Sequence, residues 1–448
     1  MKKKILLISL ALLLAISLVA IGCPTPPPEE APPTPAEEVG PPIKIGALGP
    51  HEIMGPGFYN GAFLAAEEVN EAGGVLVGKV RRPIEVIKVE TNELTSVTDA
   101  VAAAERAITV DKVDFLTGAM RTEAVLAMQD VAMDHKTIFI STIANHPELC
   151  ARVATDYDRY KYFFRCWLPN AIHTTFMINA LTETVADTVR KELGVETPKV
   201  AIIAEKVAWA DVVVEGSKET LTKMGMEVVG VWRPSGFATD VSAELSAIKA
   251  SGAQIMQITT TGPVGFVLTS TWGEAKIPVA PVGWNVDIMR LDAWERTGGK
   301  AAYEATWTGL TRTKVTDKSI PYYDKFVERF GPELMSSTYD VVYILKDAIE
   351  KVGTLDADAL VVELEKTDYE GAFGRVVFTG RETPFPHDLT FGPGYATGVG
   401  AQWVDGKLVC IWPHGRAVLG DERWAGLRYE GTVDYVLPPH VKEYWKAK

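Results

Sequence analysis

Cysteine is scarce in this chain of 448 residues, which contains only Cys23, Cys150, Cys166 and Cys410. There is no Cys-x-x-Cys pair, and no cysteine and histidine stand at the spacing of a zinc site. The sequence patterns of zinc metalloproteases, serine hydrolases and phosphate-binding loops are absent as well. We therefore expect a protein that is not an enzyme and that needs no metal or other cofactor.

Basic residues are also in deficit. Lys and Arg number 45 against 58 Asp and Glu, which gives a formal net charge of −13. Nucleic acids and anionic membrane surfaces both require a basic footprint, so neither is expected as a partner. Beyond the first residues there is no apolar run long enough to span a bilayer, so we expect a soluble body.

The amino-terminal residues have the composition of a secretory signal. Met1–Lys4 is basic, Ile5–Ile21 is an uninterrupted apolar run, and Gly22 precedes Cys23. The alternative is a membrane-spanning helix. The run is short for the roughly 30 Å of a bilayer core, however, and proline follows it at once. We interpret residues 1–22 as a signal peptide.

The residues around the predicted cut resemble a lipobox, in which the cysteine receives a diacylglycerol and becomes the mature amino terminus. The segment reads Ala20-Ile21-Gly22-Cys23, and it departs from the usual pattern at Ala20, where Leu or Val is preferred. Residues 23–42 are rich in Pro and Glu and are expected to form an extended tether. We therefore predict an extracytoplasmic protein that is anchored to the cell membrane only through lipidated Cys23. The alternative is simple cleavage that leaves Cys23 free.

From Ile43 onward, short apolar runs alternate with helical patterns. A first set of strands and helices extends to Ser141, and a second set begins near Ala171. Such alternation is typical of parallel sheets covered by helices on both faces. The sequence thus predicts an α/β fold with two doubly wound lobes. Residues 144–169 between the two sets show no clear period.

Cys150 and Cys166 bracket a short loop in this irregular segment. A disulfide can persist outside the cytoplasm, and closing a loop of this size contributes about 3 kcal/mol. We expect this disulfide, the alternative being two buried thiols. Cys410 lies in an apolar run and is expected in the core.

Open parallel sheets bind ligands at the carboxyl ends of their strands, where loops lead into helix N-termini. Two such sheets facing each other would place six loops around one cleft. These loops are 48–57, 118–122, 141–145, 205–209, 259–263 and 282–287.

Several segments, taken in their order along the chain, resemble those of a known family. They are Ile43–Gly46, Gly61-Ala62 with Leu64-Ala65, Glu68–Gly74, Ile140–Leu149, Phe164-Arg165, Lys199–Ile203 and Thr239-Asp240. From about residue 43 to 412 the chain resembles the branched-chain amino-acid-binding family of ABC-importer solute receptors, which are type I periplasmic binding proteins. No single segment is decisive, and the resemblance rests on their order and spacing.

The resemblance implies two lobes joined by three crossovers, here near Pro169, Val286 and Phe373. It also implies a monomer whose hinge closes over a small-molecule ligand, and an ABC permease in the membrane as partner. The expected lobe boundaries are 43–168 plus 286–372 for the first lobe and 169–285 plus 373–448 for the second.

The resemblance also indicates which residues bind the ligand. Thr122 and Asn145 stand where the family holds the ligand carboxylate, and Trp209 stands at its aromatic wall. The acidic residues that receive the ligand's ammonium are replaced by Asn170 and Val282. Because an unpaired ammonium is costly to bury, we expect a carboxylate, an amide or an apolar compound rather than a standard amino acid. The full set of candidate ligand-binding residues is Met54, Arg121, Thr122, Ala144, Asn145, Asn170, Trp209, Thr260, Trp284 and Asn285.

Alternatives stay open for several of these residues and for the function. Arg121 is expected to clamp a carboxylate, unless it is an ordinary exposed arginine. Trp209, Trp284 and Met54 either line the pocket or belong to the core. The same two-lobed fold would also serve a ligand-sensing or envelope-regulating receptor instead of a transport receptor.

Overall fold

The computed structural model describes residues 39–167 and 169–448. The predicted signal peptide 1–22, the predicted lipid anchor Cys23 and residues 24–38 of the predicted tether lie outside these ranges. No helix within the described ranges combines the length and the apolarity needed to cross a membrane.

The first part of the described chain builds a five-stranded sheet. Its elements are β1 (Ile43–Gly49), α1 (His51–Met54), α2 (Gly57–Glu71), β2 (Val75–Val77), β3 (Val80–Arg82), β4 (Ile84–Glu90), α3 (Val97–Thr109), β5 (Phe115–Gly118), α4 (Thr122–Asp134), β6 (Ile138–Ser141), α5 (Glu148–Thr155), α6 (Tyr157–Tyr160) and β7 (Phe163–Arg165). The strand order of this first sheet is β4-β1-β5-β6-β7, and all neighbouring strands are parallel. Strands β2 and β3 form a separate hairpin.

The next part supplies most of a second sheet. Its elements are α7 (Ala171–Leu193), β8 (Lys199–Ala204), α8 (Ala208–Lys223), β9 (Glu227–Trp232), α9 (Ser242–Ala250), β10 (Ile255–Thr260), α10 (Val264–Glu274), β11 (Ala280–Asn285), α11 (Val286–Met289), α12 (Ala293–Arg296) and β12 (Ala305–Thr308). Strands β8 to β12 pair in parallel, as the alternation of strand and helix requires.

The remaining chain adds elements to both regions. They are α13 (Ser319–Phe330), α14 (Thr338–Val352), α15 (Ala357–Leu364), β13 (Asp368–Gly371), β14 (Gly374–Val377), β15 (Val399–Val404), β16 (Lys407–Trp412), a 3₁₀ turn (Glu422–Trp424) and α16 (Pro439–Lys446). Strands β15 and β16 complete the second sheet as antiparallel strands, so that its order is β16-β15-β12-β11-β10-β8-β9. Strands β13 and β14 form a small hairpin.

The predicted α/β class is confirmed. The segment 144–169, which shows no period in sequence, contains two short helices and edge strand β7. The sequence expectation places 305–308, with the rest of 286–372, in the first lobe, but strand β12 belongs to the second sheet. It pairs with β11 and β15 in the second sheet, because the chain after β11 returns to that sheet before it leaves again.

Helix α2 shows how small residues set the packing of the first sheet's helices. Its buried face includes Ala62, Ala65 and Val69 at helical spacing. A Cβ atom at Gly61 would come within 2.6 Å of the Thr338 hydroxyl and 2.9 Å of the Ser336 carbonyl. Glycine at this position therefore lets α2 lie close against the start of α14.

A fully buried ion pair ties together the segments that pass between the two sheets. Arg165, at the end of β7, is 0% exposed, and its Nε donates to Asp388 Oδ1 at 2.8 Å. Its Nη2 also contacts Asp388 Oδ2. The same carboxylate accepts from Asn170 Nδ2 at 2.8 Å and from the backbone N–H of Leu389 at 2.7 Å. Its oxygens are thus fully engaged, as a buried charge requires.

The expected disulfide between Cys150 and Cys166 is absent, and both residues are buried free thiols. Cys150 lies near the Arg165–Asp388 pair, whereas Cys166 lies near Asp340 and Ser337. Cys410 is buried in β16, as expected.

We predict that Asp388→Ala lowers the free energy of unfolding by about 3–5 kcal/mol, because it leaves the Arg165 guanidinium buried without a counter-charge. The measurement is urea denaturation followed by circular dichroism. The double variant Arg165→Met/Asp388→Leu is expected to recover a large part of this loss. The control Asp324→Ala removes an exposed partner of Arg312 and should cost less than about 1 kcal/mol. Equal losses in Asp388→Ala and in the control would contradict the structural role of the buried pair.

Candidate functional site

A cavity of about 110 Å³ lies between loops at the carboxyl ends of the two sheets. Its volume is on the order of the roughly 150 Å³ cavity that takes up a benzene molecule. We call it the cleft cavity. It is lined by Leu94, Met120, Arg121, Thr122 and Glu123 from the first sheet's loops, and by Glu205, Lys206, Val207, Trp209, Ser235, Gly236, Phe237, Thr261 and Gly262 from the second sheet's loops.

Two helices begin at the cleft cavity from opposite sides. Helix α4 follows β5 and begins at Thr122, and helix α8 follows β8 and begins at Ala208. Neither N-cap residue, Arg121 or Val207, closes its helix with a side-chain hydrogen bond. A helix N-terminus carries partial positive charge, so both starts favour a negatively charged or acceptor-rich group beside them. At α8 that group is Glu123, whose Oε1 accepts from the Ala208 N–H at 3.3 Å.

The side chains at the start of α4 add to this preference. Thr122 is 1% exposed, lines the cleft cavity, and has no hydrogen-bond partner for its hydroxyl among the described residues. Arg121 donates to the Leu94 carbonyl through one Nη, which holds the guanidinium at the cavity wall. Buried polar groups normally find partners, so the unused Thr122 hydroxyl points to a ligand group.

Two carboxylates also line the cleft cavity, at positions other than Asn170 and Val282, where the resemblance places the replaced acidic residues. Glu205, at the end of β8, is buried and accepts from the Gly262 N–H at 2.8 Å and from the Thr261 hydroxyl. Burial raises its pKa. Glu123, in the first turn of α4, is the other carboxylate. Glu205 falls within the predicted loop 205–209, and attention to carboxylates at strand ends would have found it.

Of the predicted site residues, Arg121, Thr122 and Trp209 line the cleft cavity. Asn145 and Asn170 are turned toward the crossover instead. Asn145 Nδ2 donates to the Thr174 hydroxyl at 3.2 Å, and Asn170 Oδ1 accepts from two N–H groups that open α7 while its Nδ2 donates to Asp388. Ala144 is buried beside the same crossover, where its carbonyl lies 3.5 Å from an Arg165 nitrogen.

Thr260 and Asn285 belong to a buried polar network within the second sheet. The Thr260 hydroxyl donates to Asn285 Oδ1 at 3.2 Å, and Asn285 Nδ2 donates to Glu304 Oε1 at 2.9 Å. Burial raises the pKa of Glu304 to about 7. Val282 stands where the family has an acidic residue. It is buried in the middle of β11 and does not line the cleft cavity.

Met54 and Trp284 are buried and do not line the cleft cavity. The Met54 carbonyl accepts from an Nη of Arg290, which bridges a first-sheet loop to a second-sheet loop. Trp284 lies edge-on to Trp209, with ring centroids 5.6 Å apart, and stacks on Trp307 at 4.9 Å.

The stacking continues from Trp307 to Trp167, with centroids 6.2 Å apart. A row of four indoles thus extends from the wall of the cleft cavity to the first crossover. The indole N–H groups of Trp167, Trp284 and Trp307 are buried and have no acceptor among the described residues. Periodicity did not single out Trp167 or Trp307, because aromatic residues in strands and loops usually serve the core.

Glu93 holds the Arg121 loop in place. It is fully buried after β4, and its Oε1 accepts from the Met120 N–H at 2.9 Å. Burial raises its pKa to about 8, so the side chain is a neutral carboxylic acid at neutral pH. No group of three His, Cys, Asp or Glu side chains within the described ranges is arranged to hold a metal ion.

A family model described as "Periplasmic binding protein" matches residues 42–394. The chain therefore belongs to this family, whose members are extracytoplasmic solute carriers without enzymatic activity. The expected resemblance is confirmed.

The chain is similar to proteins of the same fold. Leu/Ile/Val-binding protein homolog 7 of Brucella abortus is 24% identical over 392 residues, with 84% of this chain and 92% of the relative covered. A leucine-binding protein of Thermotoga maritima superposes with a TM-score of 0.62 at 18% identity, covering 82% of this chain and 97% of that one. A solute-binding protein of an ABC transporter from Rhodopseudomonas palustris, solved in complex with 3,4-dihydroxybenzoic acid, has a TM-score of 0.64 at 18% identity and covers 89% and 98%. These likenesses confirm the type I periplasmic binding protein fold.

We predict that Glu93 makes the protein less stable as pH rises from about 4.5 to 8. In that window the folded protein keeps a proton on Glu93 that the unfolded chain releases, and the contribution falls by up to about 1.4 kcal/mol per pH unit. Glu93→Gln keeps an acceptor for the Met120 N–H but cannot titrate. Urea midpoints of both proteins at pH 5 and pH 8 should show a smaller loss in the variant. Identical losses would contradict the buried neutral acid.

Proposed function

We propose that this periplasmic binding protein is the solute receptor of an ABC importer, and that it captures a small organic compound without a free ammonium group. A carboxylate, an amide or a more apolar molecule would meet the cleft cavity best. The observation that carries this proposal is the pair of buried groups without a hydrogen-bond partner at the start of α4, the Thr122 hydroxyl and Arg121 Nε. They stand at a helix N-terminus that has no side-chain cap.

The carboxylates at the cleft cavity support the same ligand class. Glu205 is occupied by its bonds to Thr261 and Gly262, and one oxygen of Glu123 accepts from the Ala208 N–H. An ammonium would have to compete with these internal donors, whereas an acid or a carbonyl would meet the Thr122 hydroxyl, which has no partner among the described residues. The related proteins include a leucine-binding protein and one solved with 3,4-dihydroxybenzoic acid, so the fold accommodates zwitterions and aromatic acids.

In this proposal the two sheets are the cores of two lobes, and hinge closure traps the ligand between them. The lobe ranges follow the sequence expectation with two changes. Residues 286–308 move to the second lobe together with β12. Residues 373–388 move to the first lobe, because β14 pairs with β13 and the His387 carbonyl accepts from the Arg165 N–H. A ligand that contacts loops of both lobes binds the closed form more tightly and shifts the population toward it. A monomeric receptor would then present the closed form to a membrane permease. Release to the permease requires an affinity of about micromolar, or roughly −8 kcal/mol.

The lipidated Cys23 and the Pro-Glu segment that follows complete the proposal. A lipid at Cys23 would keep the receptor near its permease, and the polar segment would act as an extended spacer.

We predict that calorimetric titration detects micromolar binding of an acid or amide and no comparable binding of leucine. Mass spectrometry of small molecules released by denaturing the purified protein identifies which compound to titrate, with benzoate and benzamide as first probes. Arg121→Ala should weaken an acid by about 10- to 100-fold, the loss of a charged hydrogen bond. Arg312→Ala, an exposed arginine paired with Asp324, serves as control. Micromolar binding of leucine without binding of any acid or amide would contradict the proposed ligand class.

We predict that Cys23→Ala moves the protein from the membrane fraction to the soluble extracytoplasmic fraction. The reason is that the lipid is attached to this thiol and no other anchor is proposed. Immunoblots of fractionated cells make the comparison, and Thr25→Ala is the neighbouring control. Membrane retention of a Cys23→Ala protein whose signal peptide has been removed, shown by its mass, would refute lipid anchoring at this residue.

A further inference from the structure

The Glu123 side chain, at the cleft cavity, links the two walls by a hydrogen bond to the start of α8. Glu123 lies in the first turn of α4, and its Oε1 accepts from the backbone N–H of Ala208 at 3.3 Å. Ala208 is the first residue of α8, whose own N-cap residue, Val207, provides no side-chain acceptor. Glu123 thus caps a helix that belongs to the opposite wall of the cleft.

The second oxygen of Glu123 faces the cation of its own loop. Oε2 lies 3.4 Å from Arg121 Nε, and both atoms are buried without a hydrogen-bond partner among the described residues. The Glu123 carboxylate therefore stands between the guanidinium and a helix N-terminus, the two groups that an acidic ligand would use. The unused Thr122 hydroxyl is beside them in the same wall.

A second bridge crosses between the sheets at another pair of loops. Arg290, which follows β11 and α11, donates to the carbonyl of Met54, the last residue of α1. Its guanidinium is held in place by Asp292 through two bonds of 2.9 Å. Glu123 lines the cleft cavity, whereas Arg290 and Met54 do not.

We propose that Glu123 is an internal carboxylate that clasps the two walls together by capping α8, and that an acidic ligand must displace it to reach Arg121 and the start of α8. This inference rests on the proposed function for the ligand class. The clasp itself does not depend on the identity of the ligand. A neutral amide leaves the clasp in place and gains from the closed cleft, whereas a carboxylate first has to remove a like charge. Glu123 is then a specificity-determining residue that tunes the preference between acids and their neutral analogues.

The first test measures the clasp without any ligand. Small-angle X-ray scattering of the unfolded-and-refolded protein, stripped of bound compounds, gives the radius of gyration of the wild type, Glu123→Ala and Glu123→Gln. We expect Glu123→Ala to show the larger radius of a more open population, with Glu123→Gln between it and the wild type because an amide oxygen still accepts from the Ala208 N–H. Glu219→Gln, an exposed residue of α8 paired with Lys223, is the control. Unchanged scattering in Glu123→Ala would overturn the clasp.

The second test measures the competition, with benzoate and benzamide as a matched pair of probes. Removing the charge in Glu123→Gln should tighten benzoate relative to benzamide by about three- to thirtyfold, the worth of one carboxylate at a helix N-terminus. An unchanged or reduced ratio would overturn the competition. If both probes fail to bind every variant while scattering still shows opening, the proposed ligand class is wrong and the clasp remains. Urea denaturation of each variant shows whether a loss of folding, rather than of the clasp, explains a result.

Discussion

The buried pair of Arg165 and Asp388 is the contact on which the two-sheet arrangement depends. It joins the last strand of the first sheet to the loop around residue 388, and Asn170 adds the start of α7 to the same carboxylate. A charge pair removed from water is stable only when its geometry and its remaining hydrogen bonds are complete. The crossover is therefore fixed in one arrangement here, and any movement between the sheets has to pivot around it rather than through it.

The cleft cavity differs from the crossover in how its polar groups are paired. At the crossover, Arg165 and Asp388 form an ion pair with each other. At the start of α4, the Thr122 hydroxyl and Arg121 Nε have no hydrogen-bond partner among the described residues. Glu93 keeps this loop in position with a neutral acid, which avoids placing another negative charge beside the site. The polar groups of the crossover are paired with one another, whereas the cleft keeps polar groups without an internal partner, which a ligand can bind.

Local pattern predicted much of the fold, because periodic apolar positions determine which face of a strand or helix is buried. It failed where an element is short or where pairing is distant. The four residues of β12 carry too little pattern to show that they join the second sheet. Asn145, Asn170 and Asn285 were assigned to the pocket, yet their amides are used by Thr174, Asp388 and Glu304, partners that sequence spacing does not reveal. Strand-end loops still identified Arg121, Thr122 and Trp209 as residues of one cavity.

The row of indoles from Trp209 to Trp167 has an optical consequence. Four rings in successive contact exchange excitation energy, and one end of the row forms a wall of the cleft cavity while the other lies at the crossover. If the protein binds and closes as proposed, a molecule that touches Trp209 would change the polarity at one end, and a hinge movement would change ring spacing at the other. These four of the 11 tryptophans would then make the ultraviolet emission of the unlabelled protein sensitive to both occupancy and closure.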